Sequence, residues 1–158
     1  MKNKLLFEYQ DRWRFDLNDE YYIELKHLTN DNIWPFNKLG ITIQMLLKYN
    51  VYPLAGVFKN GKLLSYSRRE LPIYGIFRSK ESAKIYCPNI GSKVVYNIGQ
   101  KSNDWVFGWE QLPESGRIVF ITAGEKDTIV MNEVIGYPAI SPESESSYAS
   151  IPKKYIEE

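Results

Sequence analysis

The sequence predicts an α+β fold, in which N-terminal helices and a mixed, β-rich subdomain are followed by a partial β-α-β unit. Three patterns support this prediction. Two helical patterns fall within the first fifty residues, short runs of β-forming residues alternate with turns from residue 51 to 97, and two apolar runs flank a helical pattern between residues 117 and 141. A chain of 158 residues suits one domain or two small subdomains. We predict subdomains over residues 1–112 and 113–158.

Two short helices are predicted in the N-terminal part of the chain. Asp16 and Asn18 stand ahead of an apolar pattern, and an Asx residue in that position is typical of a helix start. We therefore expect the first helix within residues 15–28. Residues 34–40 contain a proline and a glycine and predict a break, after which Thr42 is expected to cap a second helix that ends near residue 49.

The middle of the chain is predicted to form strands. Asn60 and Gly61 separate two β-forming runs, and an Asn-Gly pair in this position is a strong signal for a β-hairpin. The strands that we expect lie at residues 51–58, 62–66, 73–77, 83–86 and 94–97. Short strands at this spacing, with few helical patterns between them, favour an antiparallel or mixed sheet.

The C-terminal third changes character. Residues 117–122 form a nearly unbroken apolar run, which predicts a strand that is buried on both faces. A polar junction at residues 123–127 leads into a predicted helix over residues 128–135, which Gly136 ends, and into a short strand over residues 137–141. Such a β-α-β unit normally makes a parallel, right-handed crossover, and ligands bind at the carboxyl ends of its strands. The polar junction is predicted to lie at such an end.

The composition excludes several classes of site. Cys87 is the only cysteine and His27 is the only histidine, which together exclude a disulfide scaffold, a Cys/His zinc site and a Ser-His-Asp triad. Cys87 stands in an apolar stretch and is predicted to be an inert buried thiol. The sequence has no apolar run of about 18 residues and no secretory signal, so we expect a cytoplasmic protein without a membrane partner.

The net charge of +1 conceals an uneven distribution. Residues 1–58 are neutral overall, residues 59–101 carry a net charge of +7, and residues 102–158 carry a net charge of −6. A basic block suits contact with a polyanion, and an acidic block suits a divalent cation. Two complementary surfaces that face each other or solvent would explain the same distribution, so charge alone does not select a function.

One motif resembles a known family. Residues 121–127, with the sequence ITAGEKD, resemble the first motif of the TOPRIM domain, in which a strand leads into Glu-Gly-x-x-Asp and then a helix. TOPRIM domains occur in bacterial primases, phage primase-helicases and topoisomerases. The other segments that look like primase-type proteins of bacteria, phages and mobile elements, in the family's serial order, are residues 40–53, 72–77, 84–86, 92–97 (similar to a Pro-Lys-Tyr-Leu-Asn motif), 107–112 and 136–140.

The resemblance implies a DNA primase, which makes short RNA primers on single-stranded DNA during DNA replication. It implies nucleotidyl transfer with Mg²⁺ or Mn²⁺, in which Glu125 and Asp127 are the catalytic acids and Asp127 is a metal ligand. The residues that it implies for nucleic-acid and nucleotide contacts are Arg78, Lys84, Lys93 and Asn97. Single-stranded DNA, ribonucleotides and a replicative helicase, fused or separate, are the implied partners, in a bacterial or phage-infected cell.

The chain departs from the TOPRIM pattern in two ways. Ala123 stands where the family has its catalytic glutamate, and a methyl group cannot act as an acid, a base or a metal ligand. The family's later Asp-x-Asp strand, which supplies metal ligands, has no counterpart after residue 127. We therefore expect a fragment or a short form of a primase core that is inactive by itself. Two alternatives stay open: a non-catalytic module that binds single-stranded nucleic acid through a degenerate TOPRIM site, and a TOPRIM nuclease.

Overall fold

The structure, a computed structural model, describes residues 14–88, 96–100 and 105–142. Its larger part is a seven-stranded sheet in which every pairing is antiparallel. The strands are β1 (Arg14–Asp16), β2 (Tyr21–Leu25), β3 (Val51–Lys59), β4 (Lys62–Tyr66), β5 (Ile73–Phe77), β6 (Ala83–Tyr86) and β7 (Tyr96–Ile98). They lie in the order β1-β2-β3-β5-β6-β7, and β4 pairs with the part of β3 that β5 leaves uncovered. The prediction of an α+β fold with a strand-rich part is confirmed.

The predicted hairpin and the two strands after it are confirmed. Asn60 and Gly61 connect β3 to β4 with φ angles of 48° and 76°, the left-handed backbone that a two-residue hairpin turn needs. Strands β5 and β6 have the predicted bounds. Strand β7 overlaps the run predicted at residues 94–97, of which residues 94 and 95 lie outside the described residues.

The helix predicted within residues 15–28 is wrong, because this segment forms the β1–β2 hairpin. The side-chain oxygen of Asn18 accepts hydrogen bonds from the backbone N–H groups of Glu20 (3.0 Å) and Tyr21 (2.8 Å). An asparagine that bonds to the backbone ahead of it stabilises a tight turn as well as it caps a helix. The strand is then fixed by its neighbour: Tyr22 stacks on Phe58 of β3, with 4.5 Å between the ring centroids.

The helices α1 (Trp34–Asn37) and α2 (Ile43–Lys48) follow a 3₁₀ turn at Asp31–Ile33. The break that we predicted at residues 34–40 is therefore shorter than expected, since a helical turn occupies its first half. The cap of α2 is confirmed: the hydroxyl of Thr42 accepts a hydrogen bond from the backbone N–H of Met45 at 3.3 Å.

The two faces of the sheet belong to different apolar clusters. Leu54 and Ile85 lie in one cluster, on what we call the first face. Tyr74 and Ile76 lie in the other, together with side chains of α1 and α2, on what we call the second face. The residues before and after Lys84 in β6 both belong to the first-face cluster. Because side chains alternate along a strand, the side chain of Lys84 points to the second face.

The C-terminal part of the described chain is a β-α-β unit, which confirms the predicted order of elements. Strands β8 (Phe120–Ile121) and β9 (Ala139–Ile140) pair in parallel. Between them, α3 (Glu125–Ile129) continues into a π-helical segment (Val130–Ile135), and Gly136 ends the helix with a φ of 89°. The helix thus begins three residues earlier than predicted. We call β8, α3, the π-helical segment and β9 the C-terminal unit.

The prediction that residues 117–122 are buried on both faces is wrong. Ile118 is 68% exposed and Ile121 is 48% exposed. The strand has a single neighbour, β9, and no described strand pairs with its outer edge. A parallel strand is buried on both faces only when further strands and helices surround it, and among the described residues the C-terminal unit provides β8 with one neighbouring strand and one helix.

Candidate nucleotide-binding site

The candidate site lies where the second face of the sheet meets the C-terminal unit. Its central residue is Lys84 of β6, which stands opposite Asn97 of β7 and Ile76 of β5 in the strand register. Lys84 is only 8% exposed, and a lysine side chain is rarely buried to this extent. A buried ammonium group needs a partner, since the loss of hydration is otherwise uncompensated.

The partner of Lys84 is Glu125, the first residue of α3. The Lys84 Nζ donates a hydrogen bond to the Glu125 Oε1 at 2.5 Å, and the two side chains are 10% and 7% exposed. Two of the predicted site residues, 41 positions apart in the chain, are therefore in direct contact. In this arrangement each charge compensates the other, and the Oε1 atom of Glu125 is bonded to an ammonium group.

Arg78 extends the site along the edge formed by β7. One guanidinium nitrogen, Nη2, donates to the side-chain oxygen of Asn97 at 2.5 Å, and the other, Nη1, donates to the hydroxyl of Ser82 at 3.3 Å. The guanidinium carbon lies 5.0 Å from the centroid of the Trp105 ring, within the range of a cation–π contact. Arg78 is thus held in place on three sides, and its partner Asn97 lies opposite Lys84 in the register of β6 and β7.

Asp127 lies in the first turn of α3 with an exposed side chain. It acts on Tyr86, which shares the second face with Lys84: burial, followed by the negative charges of Glu125 and Asp127, raises the pKa of Tyr86 to about 12. The phenol therefore stays protonated at neutral pH. Asp127 follows Glu125 by two residues in the first turn of α3, which places it at the same junction as the Lys84–Glu125 pair.

The turn between β8 and α3 is ordered by hydroxyl groups. The Thr122 and Thr128 hydroxyls are 2.7 Å apart, and the Thr128 hydroxyl also donates to the Gly124 carbonyl at 3.0 Å. Ala123, in the position of the glutamate that the resemblance implies, is exposed and adds no side-chain oxygen to the junction. The strand–turn–helix geometry is therefore built without the family's first acid.

Several contacts fix the C-terminal unit against the sheet and α2. Glu133 of the π-helical segment accepts hydrogen bonds from the Lys48 Nζ at 2.5 Å and from the Tyr49 hydroxyl at 2.9 Å. Burial and the hydrogen bond to Glu133 raise the pKa of Tyr49. Gly108 approaches β9 so closely that a Cβ atom there would lie 2.9 Å from the Ala139 carbonyl oxygen. These contacts fix the C-terminal unit, which carries Glu125, relative to the sheet, which carries Lys84.

The donor set does not suit a magnesium ion. Within residues 14–88, 96–100 and 105–142, no group of three or more His, Cys, Asp or Glu side chains could hold a metal ion. Mg²⁺ prefers carboxylate oxygens together with retained waters. Of the two predicted acids, Glu125 is bound to a lysine and Asp127 is exposed at the surface. A metal site at this junction needs carboxylates other than the described ones.

Four of the six predicted site residues lie in one cluster: Arg78, Lys84, Asn97 and Glu125. Asp127 follows Glu125 in the first turn of α3, and Lys93 lies outside the described residues. The supports of Arg78 were not predicted. Trp105 stands 27 positions after Arg78, and only the folded sheet brings its ring close.

The first apolar cluster contains Cys87, a buried free thiol as predicted. Within the described residues, no helix is long and apolar enough to cross a membrane. Comparisons of the chain with protein-family models, curated proteins and solved structures found no match. The likeness to TOPRIM primases therefore rests on the sequence motifs and their order.

Proposed function

We propose that this chain is the nucleic-acid- and nucleotide-binding part of a primase-type core. By itself it binds single-stranded DNA and does not synthesise primers. The observation that carries the proposal is that Lys84 contacts the first turn of α3, while Asn97, its partner in the strand register, accepts a hydrogen bond from Arg78. These are the side chains that the TOPRIM resemblance implies for contacts with template and ribonucleotide.

The chemistry of the cluster suits phosphate. A guanidinium group held over an aromatic ring lies in a fixed plane, and the planar guanidinium is complementary to phosphate oxygens. Contacts of this kind give an affinity that falls steeply as salt is added and that does not depend on base sequence. Lys84 is buried in its ion pair with Glu125, so we assign the phosphate contact to Arg78 and a positioning role to the Lys84–Glu125 pair.

The same geometry argues against catalysis by this chain. Transfer of a nucleotidyl group with two metal ions requires carboxylates that stabilise both the attacking and the leaving oxygen. Glu125 is bound to Lys84, Ala123 has no carboxylate, and Asp127 belongs to no metal-binding group of acids among the described residues. Primer synthesis with Mg²⁺, ribonucleotides and a helicase partner would then belong to a protein with the additional Asp-x-Asp strand.

One alternative gains support from a specific observation. The Lys84–Glu125 pair favours a degenerate TOPRIM site, which would make the chain a non-catalytic module for single-stranded nucleic acid. Template-dependent incorporation of ribonucleotides by any longer protein that contains this chain would exclude this alternative. Incorporation by the present chain with Mg²⁺ or Mn²⁺, abolished by Asp127→Ala, would contradict the proposal itself.

Binding is tested with a labelled thymidine oligonucleotide and fluorescence anisotropy at several salt concentrations. Arg78→Ala should weaken binding about tenfold and reduce the salt dependence by about one phosphate contact. The matched control is Lys80→Ala, which removes the same charge from an exposed position two residues away. It should change the affinity far less. Equal losses in both variants would mean that the basic block acts only through its total charge, and the proposed site would be wrong.

A further inference from the structure

A cavity lies at a different part of the sheet. Its volume is about 430 Å³, and its walls come from the end of β2, the start of α1, the middle of β3 and the connection between β4 and β5. It shares no lining residue with the candidate site on β6, β7 and α3. A cavity of this volume is within the range of sites for small molecules.

The charge of the cavity is strongly positive. Lys26, Arg68 and Arg69 line it, against the single carboxylate of Asp31. Burial lowers the pKa of Lys26. Three cationic side chains against one carboxylate favour a negatively charged ligand in the cavity.

Neighbouring groups hold the side chain of Arg68 and the backbone of Arg69. The guanidinium of Arg68 lies over the Tyr66 ring, 4.8 Å from its centroid, and donates a hydrogen bond to the Tyr66 hydroxyl. The backbone carbonyl of Arg69 accepts a hydrogen bond from the indole N–H of Trp34 at 3.1 Å. The connection between β4 and β5, which contains both arginines, is thus hydrogen-bonded to α1, and this bond fixes the backbone that carries the two side chains.

Trp34 and Pro53 give the lining of the cavity an apolar part. The indole N–H of Trp34 donates to the Arg69 carbonyl, and the Lys38 Nζ lies 5.3 Å from the centroid of the indole ring, so a ligand would use the other face of the ring. A planar aromatic surface beside clustered cations has two parts that a single ligand can satisfy together: a phosphate for the guanidinium groups and a flat ring for the indole. Neither an inorganic anion nor a neutral ring would use both.

We propose that this cavity binds a nucleotide, with the phosphate on Arg68 and Arg69 and the base against Trp34. The cavity is independent of the proposed function, because none of the residues of the candidate site lines it. The chain would then have two separate sites: this cavity for a free mononucleotide, and the candidate site around Arg78 for the phosphates of single-stranded DNA.

The experiment is a calorimetric titration of the chain with AMP, with inorganic phosphate and adenosine as separate probes. AMP should bind more tightly than either fragment, and phosphate should compete with it. The double variant Arg68→Ala/Arg69→Ala should lower the affinity for AMP by about tenfold or more. Both arginines are exposed, so the variant keeps the fold. Trp34→Leu should weaken AMP by about tenfold while phosphate binding is retained.

The matched control is Lys62→Ala/Lys80→Ala, which removes two exposed charges outside the cavity. Equal AMP affinity in the two double variants, or adenosine binding as tight as that of AMP, would overturn the inference. Arg78→Ala separates the two proposals. If this variant, and not the arginine pair of the cavity, abolishes AMP binding, the nucleotide occupies the candidate site and the cavity inference is wrong. If single-stranded DNA fails to bind while AMP still depends on Arg68 and Arg69, only the proposed function is wrong.

Discussion

The seven-stranded sheet and the C-terminal unit bury their apolar side chains to very different extents. Leu54 in β3 and Ile85 in β6 are completely buried between neighbouring strands. Ile118, just before β8, is 68% exposed, and Ile121, in β8, is 48% exposed, although the segment that contains them is just as apolar as β3 and β6. An antiparallel sheet of seven strands forms most of its own core, whereas a two-stranded parallel sheet relies on what it packs against.

The difference shows where the site comes from. The C-terminal unit is held to the sheet and to α2 by a few polar contacts, above all Lys84–Glu125 to the sheet and Lys48–Glu133 to α2, and by Ile129 in the second-face cluster. We call this contact region the joint, and the candidate site lies on it. Substitutions in the sheet, in the joint and in β8 should therefore have clearly different costs.

The largest effect is expected at the joint. Lys84→Met should lower the free energy of unfolding by about 3–5 kcal/mol, because it leaves the carboxylate of Glu125 buried without its partner. The double variant Lys84→Met/Glu125→Leu should recover most of this loss, since no charge remains buried. Chemical denaturation of both variants measures the difference. A single variant as stable as the original chain would show that Glu125 is solvated and the joint is open.

The next effect contrasts the core of the sheet with β8. Leu54→Ala removes a fully buried side chain and should cost about 2–5 kcal/mol. Ile118→Ala changes a side chain that is 68% exposed and should stay within about 0.5 kcal/mol. Thermal or urea unfolding of the two variants tests the contrast. A cost at Ile118 close to that at Leu54 would mean that β8 is covered in solution.

Two glycines allow a smaller, backbone-level comparison. Gly108 has a φ of 86°, and a Cβ atom there would lie 2.7 Å from Thr128, so Gly108→Ala should destabilise the chain by more than about 1 kcal/mol. Gly116, in the connection before β8, has open space where a methyl group would lie, with no neighbouring atom within 4 Å. Gly116→Ala should leave the melting temperature nearly unchanged, and equal shifts in both variants would contradict the close approach of residue 108 to the C-terminal unit.

The smallest expected effect is a change in the pKa of a buried tyrosine. Burial raises the pKa of Tyr52 to about 12, as it does for Tyr86, but only Tyr86 also feels Glu125 and Asp127. Asp127→Asn should therefore lower the pKa of Tyr86 and leave that of Tyr52 unchanged, as followed by NMR of the ring protons. Both folded pKa values exceed the ordinary value of 10.0, so the stability that these phenols contribute is complete below pH 10 and is lost as the pH rises towards about 12. An equal response of both tyrosines would place Asp127 away from the joint.

Elements whose signals are local could be predicted from the sequence. The Asn60-Gly61 turn sets β3 and β4 by its own backbone preference, and the β-forming runs of β5 and β6 needed no distant information. Asn18 misled the prediction because the same side chain serves a turn and a helix cap, and only the stacking of Tyr22 on Phe58 decides between them.

The site could be predicted only in part. Family resemblance pointed to Lys84 and Glu125, but no local pattern reveals that they neutralise each other across 41 residues. The role of Trp105 beside Arg78 is likewise set by the packing of distant segments. The burial of β8 was overestimated because an apolar run shows only that a strand is suited to burial. Whether it is buried depends on neighbouring elements that the run itself does not reveal.

Amide hydrogen exchange with and without a saturating thymidine oligonucleotide tests the proposed binding site most directly, because it locates the bound strand. We expect slower exchange at the first turn of α3 and around Arg78 and β7 when the oligonucleotide is present. The β3–β4 hairpin, whose Leu63 and Leu64 are about half exposed and lie outside the site, should exchange at an unchanged rate. Protection confined to that hairpin, or no protection at the joint at full occupancy, would contradict the proposed site.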